Sequence, residues 1–219
     1  MPVREKRKRL PANEREAQIL HAAMRAFARS NYRLAGTADI AAEAGIAEPT
    51  IYKYFPSKKE LFIRILKRVG DRILDRWKGI EAGEPDAVSA LRRIGRTYLE
   101  TLRSHGDELK MQFQALAESD DPEIARQLRE NHQAYIRFLA ALVERAKEEN
   151  DLRADVDSYA AGWLLNGIGF TMTMARLLKI DSKSAEGPPE GMILGYLEWM
   201  MPSRSRPTPK SDGNHRRKS

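Results

Sequence analysis

Residues Thr37–Leu61, TADIAAEAGIAEPTIYKYFPSKKEL, decide how this chain is read. They predict two short helices joined by a tight turn, with a third helix starting directly after. Ile40, Ala41 and Ala44 give the first helix one small apolar face. Gly45 ends it, because glycine takes the left-handed conformation without steric cost. Pro49 suits the first turn of the second helix, where a missing N–H is no loss. Ile51 and Phe55, four apart, face the core and leave Thr50, Tyr52, Lys53 and Tyr54 for other faces. Pro56 stops that helix and Ser57 caps a new one. Helix, glycine turn and short second helix is the layout of a helix-turn-helix, spanning about residues 36–55, whose second helix enters the DNA major groove.

Upstream, Asn13 is placed to cap a first helix, with Glu14 and Glu16 near its positive end. Ile19, Ala23, Ala26 and Phe27 make its buried stripe. Ser30 to Gly36 is the expected turn, and Thr37 the expected cap of the next helix, with Asp39 in its first turn. Residues 1–12 are a basic flexible arm. Downstream, Phe62, Ile65, Leu66, Val69, Ile73 and Trp77 stripe a helix from Ser57 to about Gly79. At 1.5 Å per residue it is on the order of 35 Å long, enough to join two domains. GIEAGEP, residues 79–85, is a break.

The rest of the chain is helical by the same periodicity. Val88, Leu91, Ile94, Tyr98 and Leu102 stripe a helix starting at Asp86. His105-Gly106-Asp107 is a turn, and Leu109, Phe113 and Leu116 stripe a short helix. A long helix runs from Pro122 to about Asn150. Asp155 is placed to cap the next, which is apolar on nearly all sides from Tyr159 to Leu178 and so is expected to be buried all round. Gly162, Gly167 and Gly169 within it cost about 1 kcal/mol each relative to alanine, and close helix approach is the expected compensation. Residues 180–190 are a loop, and Met192, Ile193, Tyr196, Leu197 and Met200 stripe the last helix. The fold class is therefore all-α: a three-helix DNA-binding head at 13–73, and a helical domain at 74–201.

Composition narrows the chemistry. The chain has 219 residues, no cysteine and a net charge of +7. Residues 1–10 carry +4 and residues 202–219 carry +5, which leaves the body near neutral at −2. Basic ends bind phosphates without specifying sequence, and a solvated, disordered C-terminal tail is the plainer reading of 202–219. Without cysteine there is no disulfide framework, thiolate metal site or cysteine nucleophile, which fits a reducing cytoplasm. No apolar segment follows the basic start, so no signal peptide is expected. The apolar stretch from Trp163 to Ala175 is too short for a membrane span. No catalytic, metal or cofactor residues are expected. His21, His105, His132 and His215 are scattered, and no G-x-S-x-G or phosphate-binding glycine motif occurs. His132 reads as a core or boundary histidine.

Ala26-Phe27, Thr37-Ala38-Asp39-Ile40-Ala41, Ala44-Gly45-Ile46, Thr50-Ile51-Tyr52, Tyr54-Phe55, Ser57-Lys58 and Leu61-Phe62 follow one another in order without gaps. Together they resemble the DNA-binding domain of the TetR family of bacterial transcription regulators. The resemblance implies a DNA-contacting set of Thr37, Glu48, Pro49, Thr50, Tyr52, Lys53, Tyr54 and Lys58. It implies a connecting helix that transmits ligand binding to the head, and a dimer core built from the last two helices. Two positions depart from the family pattern. Ala47 stands where a capping serine is usual, a loss of about 0.5–2 kcal/mol. Glu48 places an acid at the leading edge of the reading helix, either as a dipole partner or as an acceptor for a cytosine amino group.

The expected function is a sequence-specific regulator, a repressor released from its operator by a small hydrophobic effector. Its partners are double-stranded operator DNA, a second copy of itself and that unidentified effector, with no membrane. Its place is the bacterial cytoplasm, on the nucleoid when bound to DNA. Phe113, Tyr135, Phe138, Trp163, Phe170 and Met174 are candidates for the effector pocket. Trp163, Gly167, Phe170, Met192, Tyr196 and Met200 are candidates for the dimer interface. Two other readings stand beside this one. A helical interaction protein with a vestigial head is favoured only by Ala47 and Glu48, and an all-helical enzyme lacks a recognisable catalytic cluster.

Overall fold

The structure is a computed structural model and describes residues 11–104, 106–180 and 191–202. Residues 1–10, 105, 181–190 and 203–219 lie outside the described residues, and with them most of the arm expected at 1–12, the loop expected at 180–190 and the tail expected at 202–219. The described residues form helices and connecting turns only: α1 Ala12–Leu34, α2 Thr37–Ala44, α3 Glu48–Tyr54, α4 Lys58–Gly83, α5 Ala87–Ser104, α6 Gly106–Leu116, α7 Pro122–Glu148, α8 Ser158–Leu177 and α9 Met192–Met200. None of these helices is long and apolar enough to cross a membrane.

Local chemistry sets most of the boundaries. Gly45 takes φ 64° at the end of α2, as its position predicted. Pro49 sits in the first turn of α3. Ser57 Oγ accepts from Glu60 N at 3.1 Å and starts α4. Asp86 accepts from Ser89 N at 2.6 Å and Asp121 from Glu123 N at 2.9 Å, each holding a helix N-terminus.

Several expectations are corrected. Asn13 caps nothing, because α1 begins at Ala12, behind Pro11. The turn expected at Ser30–Gly36 is shorter: α1 runs to Leu34 through a kink at Asn31, φ 64°, whose side chain accepts from Leu34 N at 3.1 Å. Gly36, not Thr37, occupies the cap position of α2. The break expected from Gly79 starts only after Gly83, so α4 has 26 residues and is about 39 Å long. Asp157, two residues beyond Asp155, caps α8 through Ala160 N at 2.9 Å.

The head packs on α1 and α4. Ile19, Phe27, Ile40, Ile51, Phe55, Leu61 and Phe62 are fully buried. Phe27 and Phe62 meet edge to face at 5.0 Å between centroids. This core does not close on itself: Met111 and Ala115 from α6 and Ile124 and Leu128 from α7 belong to the same cluster. A second core joins α5, α7, α8 and α9 through Leu91, Leu142, Val143, Leu165 and Leu197. Gly162 allows α8 to lie directly on α7, since a Cβ there would stand 2.8 Å from Ile136 O. Gly167 makes no such approach and faces outward. The opposite side of α8 is open: Tyr159, Trp163, Leu164 and Leu178 are each more than half exposed. The all-round burial expected for this helix is thus absent within one chain.

Charges clamp α1 to α2. Glu43 accepts from Arg25 Nε at 2.6 Å and from both terminal nitrogens of Arg29. These guanidiniums, Arg29 foremost, hold the Glu43 carboxyl well below the usual range, at about 2. Because the folded pKa lies below the unfolded one, the clamp is fully present above about pH 4.5 and is lost as pH falls towards 2. Both arginines are partly solvated, which limits the gain to about 1 kcal/mol. Glu43→Gln is therefore expected to lower the thermal midpoint at pH 7. The deficit relative to the parent should shrink between pH 4.5 and 2, as followed by circular dichroism.

Candidate nucleic-acid interface and effector cavity

The helix-turn-helix is held from its own two ends. Thr37, the first residue of α2, donates its hydroxyl to Glu48 in the first turn of α3. The Tyr52 and Thr37 hydroxyls meet at 3.0 Å, with Tyr52 free to donate. Ala47 leaves α3 without a side-chain cap, and the Thr37–Glu48 bond fastens that first turn instead. Glu48 is thereby a structural acceptor toward α2, a third role beside the two expected for it. Tyr52 remains 48% exposed on the outer face of α3. Pro49 and Lys53 are exposed with it and Thr50 is half-buried, and Lys53 has no ion-pair or hydrogen-bond partner among the described residues.

Two of the expected contact residues point elsewhere. Tyr54 is half-buried and packs on the head core. Lys58 turns back onto α1, donating to Arg33 O and Ala35 O at 3.3 Å each, with its ammonium 4.9 Å from the Tyr32 ring centroid. The helix dipole gives a lysine in the first turn of α4 no reason to be there, but the orphan carbonyls ending α1 do.

A cavity of about 140 Å³ lies among α4, α5, α6, α7, α8 and the start of α9. Its walls are mostly apolar: Trp77, Leu91, Ile94, Leu139, Leu165 and Ile193, with Phe113 and Phe170 stacked at 4.3 Å. The polar groups differ in how well they are satisfied. Tyr98 donates to Gly169 O at 2.5 Å and meets Thr173 Oγ1, and burial pushes its hydroxyl up to about 12. Arg72 pairs with Glu108 at 2.8 Å, and Arg76 donates to Thr101 Oγ1 at 3.1 Å. The Tyr135 hydroxyl is buried with no hydrogen-bond partner among the described residues. Burial lowers the pKa of His132, which lies edge-on to Tyr135 at 5.9 Å, and so favours its neutral form.

Residues 19–65, most of α1 through the first part of α4, match the sequence model of the bacterial regulatory proteins of the tetR family. Over these residues the chain is similar to TetR-family regulators. Among curated TetR-type relatives it is 29% identical over 124 residues to the HTH-type transcriptional activator FasR of Mycolicibacterium smegmatis, covering 55% of each chain. It is 32% identical over 111 residues to the HTH-type regulator YvkB of Bacillus subtilis, covering 51% of this chain and 56% of that one. The chain thus spans about half the length of the curated relatives it matches. Over the whole TetR-type fold it resembles the fatty acid degradation regulator FadR of Bacillus halodurans, with a TM-score of 0.71, 21% identity and coverage of 84% and 96%.

Against that TetR-type fold the expected pocket set divides. Phe113, Tyr135 and Phe170 line the cavity; Phe138, Trp163 and Met174 do not. Phe138 instead packs on Trp77 at 5.7 Å, and Trp163 and Met174 lie on the open side of α8. That open side collects Trp163, Gly167 and Phe170 from the expected interface set, while Met192 and Tyr196 on α9 are half-buried. Met200 is fully buried within its own chain. α4 adds Arg72, Ile73, Arg76 and Trp77 to the cavity, of which Ile73 and Trp77 stand in its periodic stripe and give no sequence signal that separates wall from core. The Glu43 clamp left no sequence signal, since its partners are 14 and 18 residues away. Lys58→Ala is expected to cost about 1 kcal/mol of stability without DNA, because it strips two carbonyls of their donor. Unchanged chemical denaturation would instead show that Lys58 has no structural share.

Proposed function

We propose that this TetR-family chain is a sequence-specific DNA-binding transcriptional regulator, working as a homodimer and released from its operator by a small apolar effector. The observation that carries the reading is α3: a seven-residue helix set on a fully buried Ile51, presenting Tyr52 and Lys53 outward. Thr50 and Pro49 at its start are suited to phosphate and sugar edges. Glu48, engaged by Thr37, is explained as an architectural residue, which removes the main support for a vestigial head. Curated relatives named as HTH-type transcriptional regulators, FasR and YvkB among them, support the same reading.

Two heads are needed to read two half-sites, and a symmetric dimer supplies them. The open stripe on α8 is the surface we assign to that dimer, because so contiguous an apolar face on a single chain calls for a partner. Release from the operator follows if the effector favours a state in which the two copies of α3 no longer match successive major grooves. Its influence is then limited to its differential affinity for the two states. A protein with this work acts where the chromosome is, in the bacterial cytoplasm.

Selection of genomic fragments with the purified chain, followed by fluorescence anisotropy on the enriched sequence, tests the proposal. Lys53→Ala is expected to weaken operator binding by about 1–3 kcal/mol with the fold intact. Affinity that is the same for operator and scrambled DNA would refute sequence-specific regulation. Trp163→Glu is expected to convert a dimer to a monomer in analytical ultracentrifugation and to abolish binding to a two-half-site operator.

A further inference from the structure

We infer that Tyr135 is the recognition point of the cavity, and that the molecule it selects is uncharged, about the size of one aromatic ring, and carries a carbonyl-type hydrogen-bond acceptor. This rests on the reading of the chain as an effector-responsive regulator and adds the chemistry of the effector.

Three observations lead there. First, Tyr135 is only 4% exposed, lines the cavity, and leaves its hydroxyl without a partner. The hydroxyl itself is closed off from the cavity space, so an occupant meets it after a small shift of the surrounding side chains; one able to accept from it then gains a bond that the empty fold does not make. Tyr98, the other tyrosine of the cavity, is already satisfied by Gly169 and Thr173 and offers no such gain. Second, size: a cavity of roughly 150 Å³ lined by apolar side chains accepts benzene, and this one is about 140 Å³. Its ring-shaped neighbours, Trp77 at 5.5 Å from Tyr135 and the Phe113–Phe170 stack, present flat surfaces to a planar guest.

Third, charge. The ionic groups of the lining are Arg72, Glu108 and Arg76. Arg72 and Glu108 pair with each other, and both arginines are exposed to solvent. A carboxylate carried to Tyr135 would lose its water and meet a phenol and an uncharged imidazole, an unfavourable exchange for an ion. A ketone or ester oxygen loses much less and takes the same hydrogen bond. His132 adds a ring nitrogen of either sense beside the phenol, so a second polar atom on the guest can be met there.

The test uses the full chain without DNA, titrated calorimetrically with three compounds of similar outline: acetophenone, ethylbenzene and benzoate. Acetophenone is expected to bind at least tenfold tighter than either of the others. In Tyr135→Phe its affinity should fall about tenfold while that of ethylbenzene stays within twofold. The thermal midpoint of ligand-free Tyr135→Phe should be equal to or above the parent's, since the change deletes an unpaired group and keeps the ring. The inference is overturned by any of four results: equal binding of acetophenone and ethylbenzene to the parent, tightest binding by benzoate, a preference that survives Tyr135→Phe, or no binding of the three. A lower midpoint for the ligand-free variant also overturns it, because the hydroxyl would then be serving the fold. Operator release is measured separately by anisotropy. If acetophenone binds as expected but leaves operator affinity unchanged, the cavity assignment stands and the regulatory reading fails.

Discussion

A single run of backbone hydrogen bonds from Lys58 to Gly83 serves two sites at once. The first half of α4 gives Leu61, Phe62, Ile65, Leu66 and Val69 to the core on which the reading helix rests. The second half gives Arg72, Ile73, Arg76 and Trp77 to the cavity wall. A helix is stiff along its axis, so any displacement of the far half would carry the near half with it. α3 has seven residues, too few to be stable alone, and takes its position from the packing beneath it. The placement of the outward side chains of α3 is therefore conditional on α4.

The other bonds between the head and the body lie around this helix. Asn131 on α7 donates to Leu66 O on α4 at 2.9 Å, and it fits because Gly70 carries no side chain. Arg33 on α1 pairs with Glu118 at 3.0 Å, just beyond α6, and Lys59 reaches Asp121 and Glu123 at the start of α7. Surface ion pairs of this kind contribute little each, so they hold an orientation weakly enough to be re-set. The apolar contacts of Met111, Ala115, Ile124 and Leu128 with the head core are stronger and continuous. Together they make α6 and the start of α7 a second route from cavity to head, since α6 also carries Phe113 and Glu108 of the lining. Whether this element has two discrete arrangements is what decides coupling, and proximity alone does not.

The open stripe on α8 illustrates what an apolar helix says in sequence. Its composition was legible, and so was the need for something to cover it. One side is answered inside the chain, where Gly162 brings α7 into backbone contact. The other side, with Trp163 54% exposed, is not. Periodicity does not separate these cases in α8, where apolar residues stand on both sides and the few polar ones inside it, Asn166, Thr171, Thr173 and Arg176, do not single out the solvent side.

Much of the head was fixed by local chemistry, and so could be read from the residues. Gly45 must carry the positive φ, Pro49 must stand in a first turn, Ser57 must cap, and Ile51 and Phe55 must point inward. These depend on neighbours within about four positions. The misplaced caps at Asn13, Thr37 and Asp155 show the limit of the same reasoning, since several adjacent residues compete for one N-terminus and packing chooses among them. Beyond that range the tertiary structure decided. It joined Thr37 to Glu48, supplying what Ala47 lacks. It turned Lys58 onto the end of α1, and clamped Glu43 between Arg25 and Arg29. It separated Phe113, Tyr135 and Phe170, which line the cavity, from Phe138, Trp163 and Met174, which do not. The physical reason is the same in each case. A side chain's type and helical phase are local properties, but its partner is set by which helix lies across from it, and that is a property of the whole packing.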